Sequence, residues 1–498
     1  MLRILVTCWV LTILVTTPEA CAQAAKLHFS RITTGPVATD RASTGGVSWI
    51  DYDGDGDLDL FVANGYDVSA EQSIPQPNRL YQNQGAGRLV SVPSPLEEAG
   101  FSSGSAWGDF DNDGDEDVFI PNQSLQQNFL FRNDAQRGFS LLEDSPVTTD
   151  SAHSFSATWA DVDNDGYLDL FVSNGGLSGP ERNFLYRNQG NGTFTPITQG
   201  PIVADSIQSK GAVWVDYDLD GDVDLFVPGA PNAFFQNEGN WRFTKINDLP
   251  FVTEPPLLRS PESAAWGDYD NDGDFDVYIP YPIGEQNRLY KNEGNGQFRR
   301  ITEGLPVLDG GYSEHALWAD FDHDGYLDLL VANWGSPVVL YMNRRDGQFE
   351  RQVYGDLGTT VSFASSVAVG DYDNDGDLDI IVGHWPNEPG SGEENLFYRN
   401  DGPVGNWLQL DLVGTRSNRS AIGARVVVRV RIDGRLETLT REVRSQEGWR
   451  SQNSRTVHLG LGNAQLVEEV SIYWPSGHRQ QLTNLRANQR ITVTETPR

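Results

Sequence analysis

The sequence predicts an all-β protein, a seven-bladed β-propeller followed by a small β-sandwich domain. Three observations predict this fold: an acidic phrase that occurs seven times, short apolar strands between its copies, and a change of composition near residue 404. The 498 residues include 70 Asp and Glu against 36 Lys and Arg, which gives a formal net charge of -34. Such a charge disfavours nucleic acid and anionic membranes as partners. The 13 Trp, 17 Tyr and 23 Phe indicate a packed interior rather than a disordered acidic chain.

Residues 1–22 are typical of an export signal. Arg3 precedes an apolar run over residues 4–15, and Ala20-Cys21-Ala22 matches an A-x-A cleavage site. The run is shorter than the roughly 20 residues that cross a bilayer. A buried strand and a lipoprotein signal that uses Cys21 are the alternatives. We expect a secreted, extracellular protein, or a periplasmic or outer-surface protein if the source is bacterial. Cleavage removes both cysteines, Cys8 and Cys21, so the mature chain has no disulfide and bound metal is one way to stabilise it.

The phrase D-x-D-x-D-G-x-x-D marks the repeat. Its seven copies follow one another at steps of 51 to 58 residues and begin at Asp51, Asp109, Asp161, Asp216, Asp268, Asp320 and Asp371. A Trp stands two residues before each copy except the seventh, which has Val369. An apolar strand, a phrase close to N-x-L-Y-x-N, a Gly-rich turn and a short Phe-containing strand follow. Four short strands in about 50 residues describe one blade, whose faces must pack on neighbouring blades, with the Trp residues between them. A linear array of loops is the alternative, but it needs less apolar sequence.

The two ends of the repeat array predict a closed ring. The seventh repeat has no fourth strand after Asn400, and residues 27–34 resemble the fourth strand of the fifth repeat, residues 297–302. We therefore expect the N-terminal strand to complete blade seven, so that the propeller spans residues 26–403.

The acidic loops are predicted calcium sites. Carboxylates at positions 1, 3 and 5 converge if the chain turns tightly, which Gly at position 6 permits. Position 7 offers a backbone carbonyl and Asp at position 9 closes the shell, a set of oxygen ligands that suits Ca²⁺ better than Mg²⁺. An EF-hand would need Glu at position 12, where the first loop has Val62. A solvated acidic turn is the other alternative. The predicted cofactor is Ca²⁺, up to seven ions, and the predicted ligands, with position 7 acting through its carbonyl, are Asp51, Asp53, Asp55, Asp57 and Asp59; Asp109, Asp111, Asp113, Asp115 and Asp117; Asp161, Asp163, Asp165, Tyr167 and Asp169; Asp216, Asp218, Asp220, Asp222 and Asp224; Asp268, Asp270, Asp272, Asp274 and Asp276; Asp320, Asp322, Asp324, Tyr326 and Asp328; and Asp371, Asp373, Asp375, Asp377 and Asp379.

The C-terminal segment, residues 404–498, has a different composition. Residues 401–498 contain 14 Arg, no Lys and 9 acidic residues. Alternating and β-branched residues predict seven strands in a small β-sandwich, at 407–414, 424–432, 436–445, 456–462, 467–475, 479–485 and 491–495. The arginines dock against the acidic propeller, bind an anionic partner, or only flank a sheet; the sequence leaves these three possibilities open.

The repeats resemble the FG-GAP/VCBS repeats of integrin α-subunit propellers and many exported bacterial proteins. The tail resembles the ASPIC/UnbV module at GNWL (405–408), GTRSNR (414–419), IGARV (422–426), LGLG (459–462) and WPSG (474–477). Together they resemble the cartilage acidic protein family, over essentially the whole mature chain. This resemblance implies a calcium-binding seven-bladed propeller, integrin-α-like, with a C-terminal β-domain and no established reaction. Val369, in place of the Trp of the seventh repeat, departs from the pattern.

No catalytic constellation is visible in the sequence. The mature chain has no Cys nucleophile, and its histidines lack zinc-ligand spacing. His323 is expected to face solvent, and Glu314 and His315 are expected near the channel in a structural role. We therefore expect a non-catalytic binding or adhesion protein for an extracellular protein or glycan, with no transmembrane segment. The alternative is a calcium-dependent polysaccharide-active enzyme, a lyase or hydrolase; an accessory role in a biosynthetic pathway is a weaker possibility. Candidate contact loops are residues 64–78, 174–183, 281–287 and 386–395.

Overall fold

The computed structural model describes residues 27–65, 75–135, 137–175, 179–204, 206–385, 392–402, 405–446 and 448–497. The predicted export signal lies outside these residues, as do segments 66–74, 176–178 and 386–391 of the predicted contact loops. Within them the chain is built almost entirely of short strands, which confirms the all-β class.

Seven antiparallel units of four strands each follow one another along the chain, and the last two are joined into one eight-stranded sheet where Trp334 pairs with Phe363 and Pro337 with Val361. We number them one to seven and call the four strands inner, second, third and outer. Their bounds are Thr44–Ile50, Asp59–Asn64, Arg79–Asn83 and Leu89–Ser91; Ala106–Gly108, Asp117–Ile120, Phe129–Asn133 and Phe139–Leu141; Ser154–Ala160, Asp169–Asn174, Phe184–Asn188 and Phe194–Pro196; Val213–Val215, Asp224–Val227, Ala233–Asn237 and Phe243–Ile246; Ala265–Gly267, Asp276–Ile279, Arg288–Asn292 and Phe298–Ile301; Ser313–Ala319, Asp328–Pro337, Val339–Asn343 and Phe349–Arg351; and Val361–Gly370, Asp379–His384, Leu396–Asn400 and Phe29–Ile32.

The fourth strand of unit seven comes from the beginning of the described chain. Phe29 pairs with Asn400 and Ile32 with Phe397 in an antiparallel register. The sequence predicts this pairing from the strand missing after Asn400. Phe29 is fully buried and its ring packs edge-on against Phe321 of unit six, so the strand contributes to the core as well as to the sheet.

The connections between units contain short helices and two-residue strands. Four one-turn helices each begin with proline, a residue whose fixed φ suits the first helical position. They span Pro36–Thr39, Pro146–Thr149, Pro201–Ala204 and Pro250–Thr253, and a 3-10 turn spans Pro95–Glu97. Two-residue strands pair Arg41–Ala42 with Glu393–Glu394, Gln76–Pro77 with Ala99–Gly100, and Glu181–Arg182 with Ser206–Ile207.

Units one to six each pack on a neighbouring unit through the Trp that precedes their acidic loop, whereas unit seven has Val369 at that position. Trp49 of unit one stacks on Tyr372 of unit seven with 5.9 Å between ring centroids. Trp159 stacks in the same way on Phe110 of the preceding unit, at 6.1 Å. The contact between units one and seven closes the series into a ring, and the indoles fill the space between adjacent sheets as the sequence predicts.

The C-terminal domain consists of two sheets that enclose one apolar core. One sheet contains Val457–Gly462, Asn406–Val413 and Gln489–Thr494, in that order, and the last two are parallel. The other contains Arg435–Glu442, Arg425–Ile432, Leu466–Tyr473 and Arg479–Arg486. All seven predicted strands are present, because each combines alternation with β-branched residues.

The two ends of the ring differ. The acidic loops join inner and second strands, so all seven lie at one end, which we call the loop end. The connections from second to third strands, and from each outer strand to the next unit, lie at the opposite end. The C-terminal domain covers the loop end: Gly166 of loop three lies against the backbone of Arg416, and Gly376 of loop seven lies against the Trp407 indole.

A segment of the C-terminal domain, residues 444–446 and 448–456, enters the centre of the ring; we call it the plug. The backbone of Gln452 exchanges hydrogen bonds with the inner strand of unit one, accepting from Trp49 N–H at 3.0 Å and donating to Val47 C=O at 3.1 Å. Its side-chain oxygen accepts from Trp107 N–H at 2.9 Å, and Asn453 accepts from Val369 N–H at 2.9 Å. The plug thus provides partners for backbone groups that the inner strands would otherwise leave buried and unpaired.

Candidate metal centres

The acidic loops share one backbone conformation. Position 4 has positive φ in all seven loops, for example 60° at Asn112 and 55° at Asn164, and the Gly at position 6 does too. Asn tolerates this left-handed conformation better than most residues, which explains its frequency at position 4. The two left-handed residues curl the loop, so that its carboxylates face one another as the sequence predicts.

The carboxylates at positions 1, 3 and 9 converge. One oxygen from each lies within 4.8 Å of the other two, which is a spacing that can hold a metal ion. The groups identified in this way include Asp51, Asp53 and Asp59; Asp109, Asp111 and Asp117; Asp161, Asp163 and Asp169; Asp216, Asp218 and Asp224; and Asp268, Asp270 and Asp276.

The carboxylate at position 5 stands outside these convergent groups. In loop one, Asp55 accepts the N–H of Asp57, the residue at position 7, at 2.9 Å. In the same loop the position-1 carboxylate of Asp51 accepts the N–H of Asp55 and of Gly56, both at 3.0 Å. The loop is therefore held in its curled form by hydrogen bonds from its own backbone.

The position-9 carboxylate connects the loop to the sheet. Asp59 accepts the N–H of Asn83 at 2.7 Å and the N–H of Tyr52 at 3.2 Å. Asn83 ends the N-x-L-Y-x-N phrase, and its counterpart bonds the position-9 Asp in all seven units. The sequence singles out this Asn without revealing its role.

These carboxylates are costly to ionise without a nearby cation. Burial, together with the charge of the neighbouring carboxylates, raises the pKa of Asp51 to about 6 and that of Asp161 to about 7. The position-9 groups lie deeper, and burial raises the pKa of Asp169 well above its usual value. A bound cation would favour the charged forms that these loops place together.

Loop four retains three carboxylate oxygens without a hydrogen-bond partner among the described residues. They are Oδ1 of Asp216, Oδ1 of Asp218 and Oδ2 of Asp224, and they come from positions 1, 3 and 9. Asp216 and Asp224 are more than nine-tenths buried. Buried carboxylate oxygens that have lost water and gained no partner fit a cation as their missing ligand.

The third strand places a different side chain on the position-3 carboxylate in different units. Gln82 donates to Asp53 at 2.7 Å in loop one, and Gln236 donates to Asp218 at 3.0 Å in loop four. Arg187 takes the same place in loop three, with Nη2 at 2.8 Å from Asp163 Oδ2. Lys291 does so in loop five, where it contacts Asp270 and lies 3.0 Å from Asp272. The loops therefore differ in the charge beside their carboxylates.

The arginine-rich C-terminal domain docks on the loop end, which is the first of the three possibilities that the sequence leaves open. Arg490 donates to Gly56 C=O at 2.8 Å, and Arg419 lies 3.9 Å from Asp109. Gln409 donates to the position-1 carboxylate of Asp371 at 2.8 Å. A cleft of about 630 Å³, lined by Asp51 and Asp109 among others, remains between this domain and loops one and two.

The expectation that His323 faces solvent is wrong. The residue is fully buried, its Nδ1 lies 3.2 Å from Gly405 C=O, and its ring lies 4.9 Å from that of His458. Burial lowers the pKa of both imidazoles, that of His458 to about 3. Gly405 and His458 of the C-terminal domain bury this side chain. The repeat pattern alone, in which position 4 belongs to an exposed loop, gives no sign of that contact.

Glu314 and His315 are buried in the inner strand of unit six, where the sequence places them near the channel. Nδ1 of His315 accepts the N–H of Val367 at 3.2 Å. Burial and the charge of Glu262 raise the pKa of Glu314 to about 8, and Glu262 itself is paired with the buried Lys210. Glu314, Glu262 and Lys210 thus form a buried cluster of ionisable side chains.

The opposite end of the ring is apolar at its surface. Seven of the eleven exposed large hydrophobic side chains of the described residues lie on its connections, including Leu257 (81% exposed) and Leu258 (66%). The N–H groups of both leucines donate to the Glu285 carboxylate, beside Ile283. Gly284 N–H donates to Gly311 C=O at 3.0 Å, which places Ile283 and Tyr312 on adjacent connections of units five and six. Exposed apolar patches of this kind mark interaction sites.

Two protein families match the chain. The FG-GAP-like repeat matches residues 51–120, 109–172, 175–227, 282–331 and 320–382, and the ASPIC and UnbV family matches residues 414–498. The chain therefore belongs to the FG-GAP repeat proteins that carry a C-terminal ASPIC and UnbV domain, which confirms the resemblance seen in the sequence.

Curated relatives include cartilage acidic protein 1 of Mus musculus, 26% identical over 318 residues, which cover 62% of this chain and 40% of that protein. The Xenopus tropicalis protein is 26% identical over 320 residues (63% and 40%), and the Homo sapiens protein 25% over 318 residues (62% and 39%). The chain thus spans about two fifths of the length of these relatives.

The solved structures to which the chain is similar include an Agrocybe aegerita lectin that recognises non-reducing terminal N-acetylglucosamine. It is 16% identical, with 67% of this chain and 83% of that chain covered and a TM-score of 0.44. BBS1N in complex with ARL6DN is 12% identical, with 75% and 96% covered and a TM-score of 0.43. Within the described ranges, no helix has both the length and the apolar character needed to cross a membrane.

Proposed function

We propose that this chain is an exported, calcium-binding, non-catalytic binding protein. Residues 1–22 are removed on export, residues 26–403 form a seven-bladed calcium-loaded propeller, and residues 404–498 form the domain that caps it. The observation that carries the calcium assignment is loop four, whose carboxylates at positions 1, 3 and 9 each keep a buried oxygen without a partner. The same three positions converge in the other loops that form metal-sized groups.

The donor set supports Ca²⁺ rather than a transition metal. Every ligand proposed for the loops is a carboxylate or carbonyl oxygen, and hard oxygen ligands suit Ca²⁺, Mg²⁺ or Mn²⁺. Several carboxylates on a flexible loop favour the larger ion, because Mg²⁺ demands a near-ideal octahedron and gives up water reluctantly. The position-5 carboxylate and the position-7 carbonyl complete the proposed shell in each loop. The cleft beside loops one and two offers a route by which ions enter.

The centre of the ring supports a non-catalytic role. Glu314, the buried carboxyl with the raised pKa, lies beneath the plug together with Lys210 and Glu262, where substrate has no access. A general acid or base must come within hydrogen-bond reach of its substrate. The plug fills the space in which other propellers could hold a ligand on their axis.

The opposite end of the ring is the proposed partner surface. The C-terminal domain already covers the loop end, whereas Leu257, Leu258, Ile283 and Tyr312 remain exposed. Aliphatic side chains grouped with an aromatic ring favour a protein partner over a glycan, since sugars bind chiefly through hydrogen bonds and flat aromatic faces. The proposed partner is therefore an extracellular protein.

A calcium titration of the metal-stripped mature protein tests the metal assignment. We expect about seven ions per chain, a large rise in melting temperature with Ca²⁺, and a much smaller rise with equal Mg²⁺. No bound ion and no thermal shift would show that the loops are solvated turns.

A paired substitution tests the partner surface. Cross-linking in the extracellular fluid of the source organism should yield a protein that the wild type captures and that the double variant Leu257→Asp, Leu258→Asp does not. Leu436→Asp, at an exposed position in the C-terminal domain, is the matched control and should capture the same protein. Equal capture by all three proteins would place the partner surface elsewhere.

A further inference from the structure

We infer that the loops differ in calcium affinity, because one position of the third strand carries a different side chain in different units. In units three and five this residue is basic and pairs with a carboxylate of the acidic loop, whereas in units one and four it is glutamine. This inference rests on the proposed calcium binding. It concerns the residue immediately before the Asn that ends each third strand, a position to which neither the repeat phrase nor the family match gives a role.

The four side chains reach the same carboxylate from the same place. Gln82 and Gln236 donate a neutral hydrogen bond to the position-3 carboxylates of loops one and four, at 2.7 and 3.0 Å. Arg187 lies 2.8 Å from the corresponding Asp163 and 3.4 Å from Asp165 at position 5.

Lys291 has the most buried of the basic side chains at this position. It contacts Asp270 at position 3 and lies 3.0 Å from Asp272 at position 5, and its side chain is 19% exposed. The Arg187 side chain is 40% exposed. Since water screens an exposed charge more than a covered one, Lys291 has the larger effect on its loop.

The basic side chains do not occupy the place of the metal. Among the described residues, Asp163 and Asp270 each keep a buried Oδ1 that has no hydrogen-bond partner, while the ion pair uses the other oxygen, Oδ2. The free oxygens remain available as ligands, so the loops still bind an ion. The basic side chains act through electrostatic repulsion instead. A fixed positive charge a few ångströms from a divalent cation repels it, and for a partly buried basic side chain this weakens calcium binding by about tenfold.

In the remaining units, the residue at this position of the third strand does not pair with the position-3 carboxylate. Arg132 pairs with Asp134 at 3.0 Å and Arg399 pairs with Asp401 at 2.6 Å, both outside the loops. Unit six has Met342 there, and Arg345 from the following turn takes the position-5 carboxylate of Asp324 at 2.6 Å. Only in loops three and five of the described chain, therefore, does this strand position place a charge at ion-pair distance from the position-3 carboxylate, and its effect is to weaken calcium binding in those two loops.

Exchange of the charge tests the inference. Wild type, Lys291→Gln and Gln236→Lys are titrated with Ca²⁺ against a chromophoric chelator after metal is stripped, with circular dichroism to verify folding. In Lys291→Gln we expect one ion to bind about tenfold more tightly, and in Gln236→Lys one ion to bind about tenfold more weakly. Arg41→Gln is the control and should leave every affinity unchanged, because Arg41 pairs with Glu393 at the opposite end of the ring, away from the loops.

The outcomes separate this inference from the proposed function. Seven ions bound in every variant, with superimposable affinities, would overturn the inference and leave calcium binding intact. No ion bound by any variant, the wild type included, would overturn both. Arg187→Gln provides an independent second test. It should increase the affinity for one calcium ion, by a smaller factor than Lys291→Gln does. A higher salt concentration should reduce the difference in affinity between each variant and the wild type.

Discussion

The side-chain amide of Asn83 donates a hydrogen bond to the carbonyl oxygen of Tyr372 at 2.7 Å, although 289 residues separate them. Tyr372 occupies position 2 of the loop in unit seven, and Asn83 ends the third strand of unit one. The same bond, from 2.7 to 3.2 Å, joins every unit to the one before it. Because the Asn backbone also bonds the position-9 Asp, each acidic loop is tied to the boundary between units.

Asn83→Ala should destabilise the protein by about 1–3 kcal/mol, since it leaves the buried carbonyl groups of Leu58 and Tyr372 without their donor. Thermal unfolding at saturating Ca²⁺ measures the effect. Gln84→Ala, at the exposed neighbouring position, is the control and should change stability by less than about 0.5 kcal/mol. Equal stability of the two variants would contradict a structural role for the bond.

Gln452→Ala should destabilise the protein by a similar amount, about 1–3 kcal/mol, because it removes the only side chain shown bonding the buried N–H of Trp107 within the described chain. The variant should also expose the plug to proteolysis. Limited digestion with trypsin should cleave it near Arg450 and Arg455 faster than the wild type. Gln348→Ala, on an exposed turn of unit six, should digest at the wild-type rate. A plug that stays resistant in Gln452→Ala would mean that its other contacts suffice.

Asp272→Ala should remove one calcium ion and loosen the turn of loop five while the other loops stay filled. Asp272 accepts the N–H of Asp274 at 3.1 Å, so its loss also frees the backbone of the turn. Metal counting per chain gives the first effect and amide hydrogen exchange the second. Loss of every ion would show that the sites are strongly coupled through the ring.

Glu495→Gln should destabilise the C-terminal domain above the usual Glu pKa and have little effect in acid. Burial alone would raise the pKa of Glu495, but hydrogen bonds from the Ser476 hydroxyl and from the N–H groups of Arg416, Ser417 and Thr415 outweigh it and lower the pKa to about 2. A carboxylate whose pKa falls on folding stabilises the folded state. This stabilisation is complete above pH 4.5, the ordinary pKa of Glu, and is lost as the pH falls towards 2.

The difference in melting temperature between wild type and Glu495→Gln measures this contribution. It should correspond to about 2 kcal/mol near neutral pH and shrink as the pH falls through that window. Glu468→Gln, a half-exposed carboxylate of the same domain, is the control and should show a small difference at every pH. A difference for Glu495→Gln that does not depend on pH would contradict the shifted pKa.

The repeats made most of the fold predictable. The acidic loops, the strands around them, the Trp packing and the seven C-terminal strands all follow from local periodicity repeated many times. The pairing of Phe29–Ile32 with unit seven was also visible, because a missing strand and a spare one stood at the two ends of the array.

Contacts between distant segments were not predictable. The apolar residues of the plug do not recur with the period of a strand or of a helix. Its sequence is therefore typical of a polar loop, although residues such as Gln452 fill the centre of the ring. His323 was misplaced for the same reason, since Gly405 and His458 of another domain bury it. At position 5, Asp55 accepts the N–H of Asp57 and is not among the convergent groups of positions 1, 3 and 9, so its place as a ligand stays a prediction.

The plug also determines the order in which the chain can fold. It belongs to the last fifth of the sequence, and it completes inner strands that are synthesised from the first repeat onward. Until it arrives, the inner edges of those strands carry unpaired N–H and C=O groups, which invite pairing with other chains. Contacts between such distant residues also form slowly. The nascent repeats therefore depend on protection from aggregation until the C-terminal domain emerges, and folding is completed only when nearly the whole chain is available.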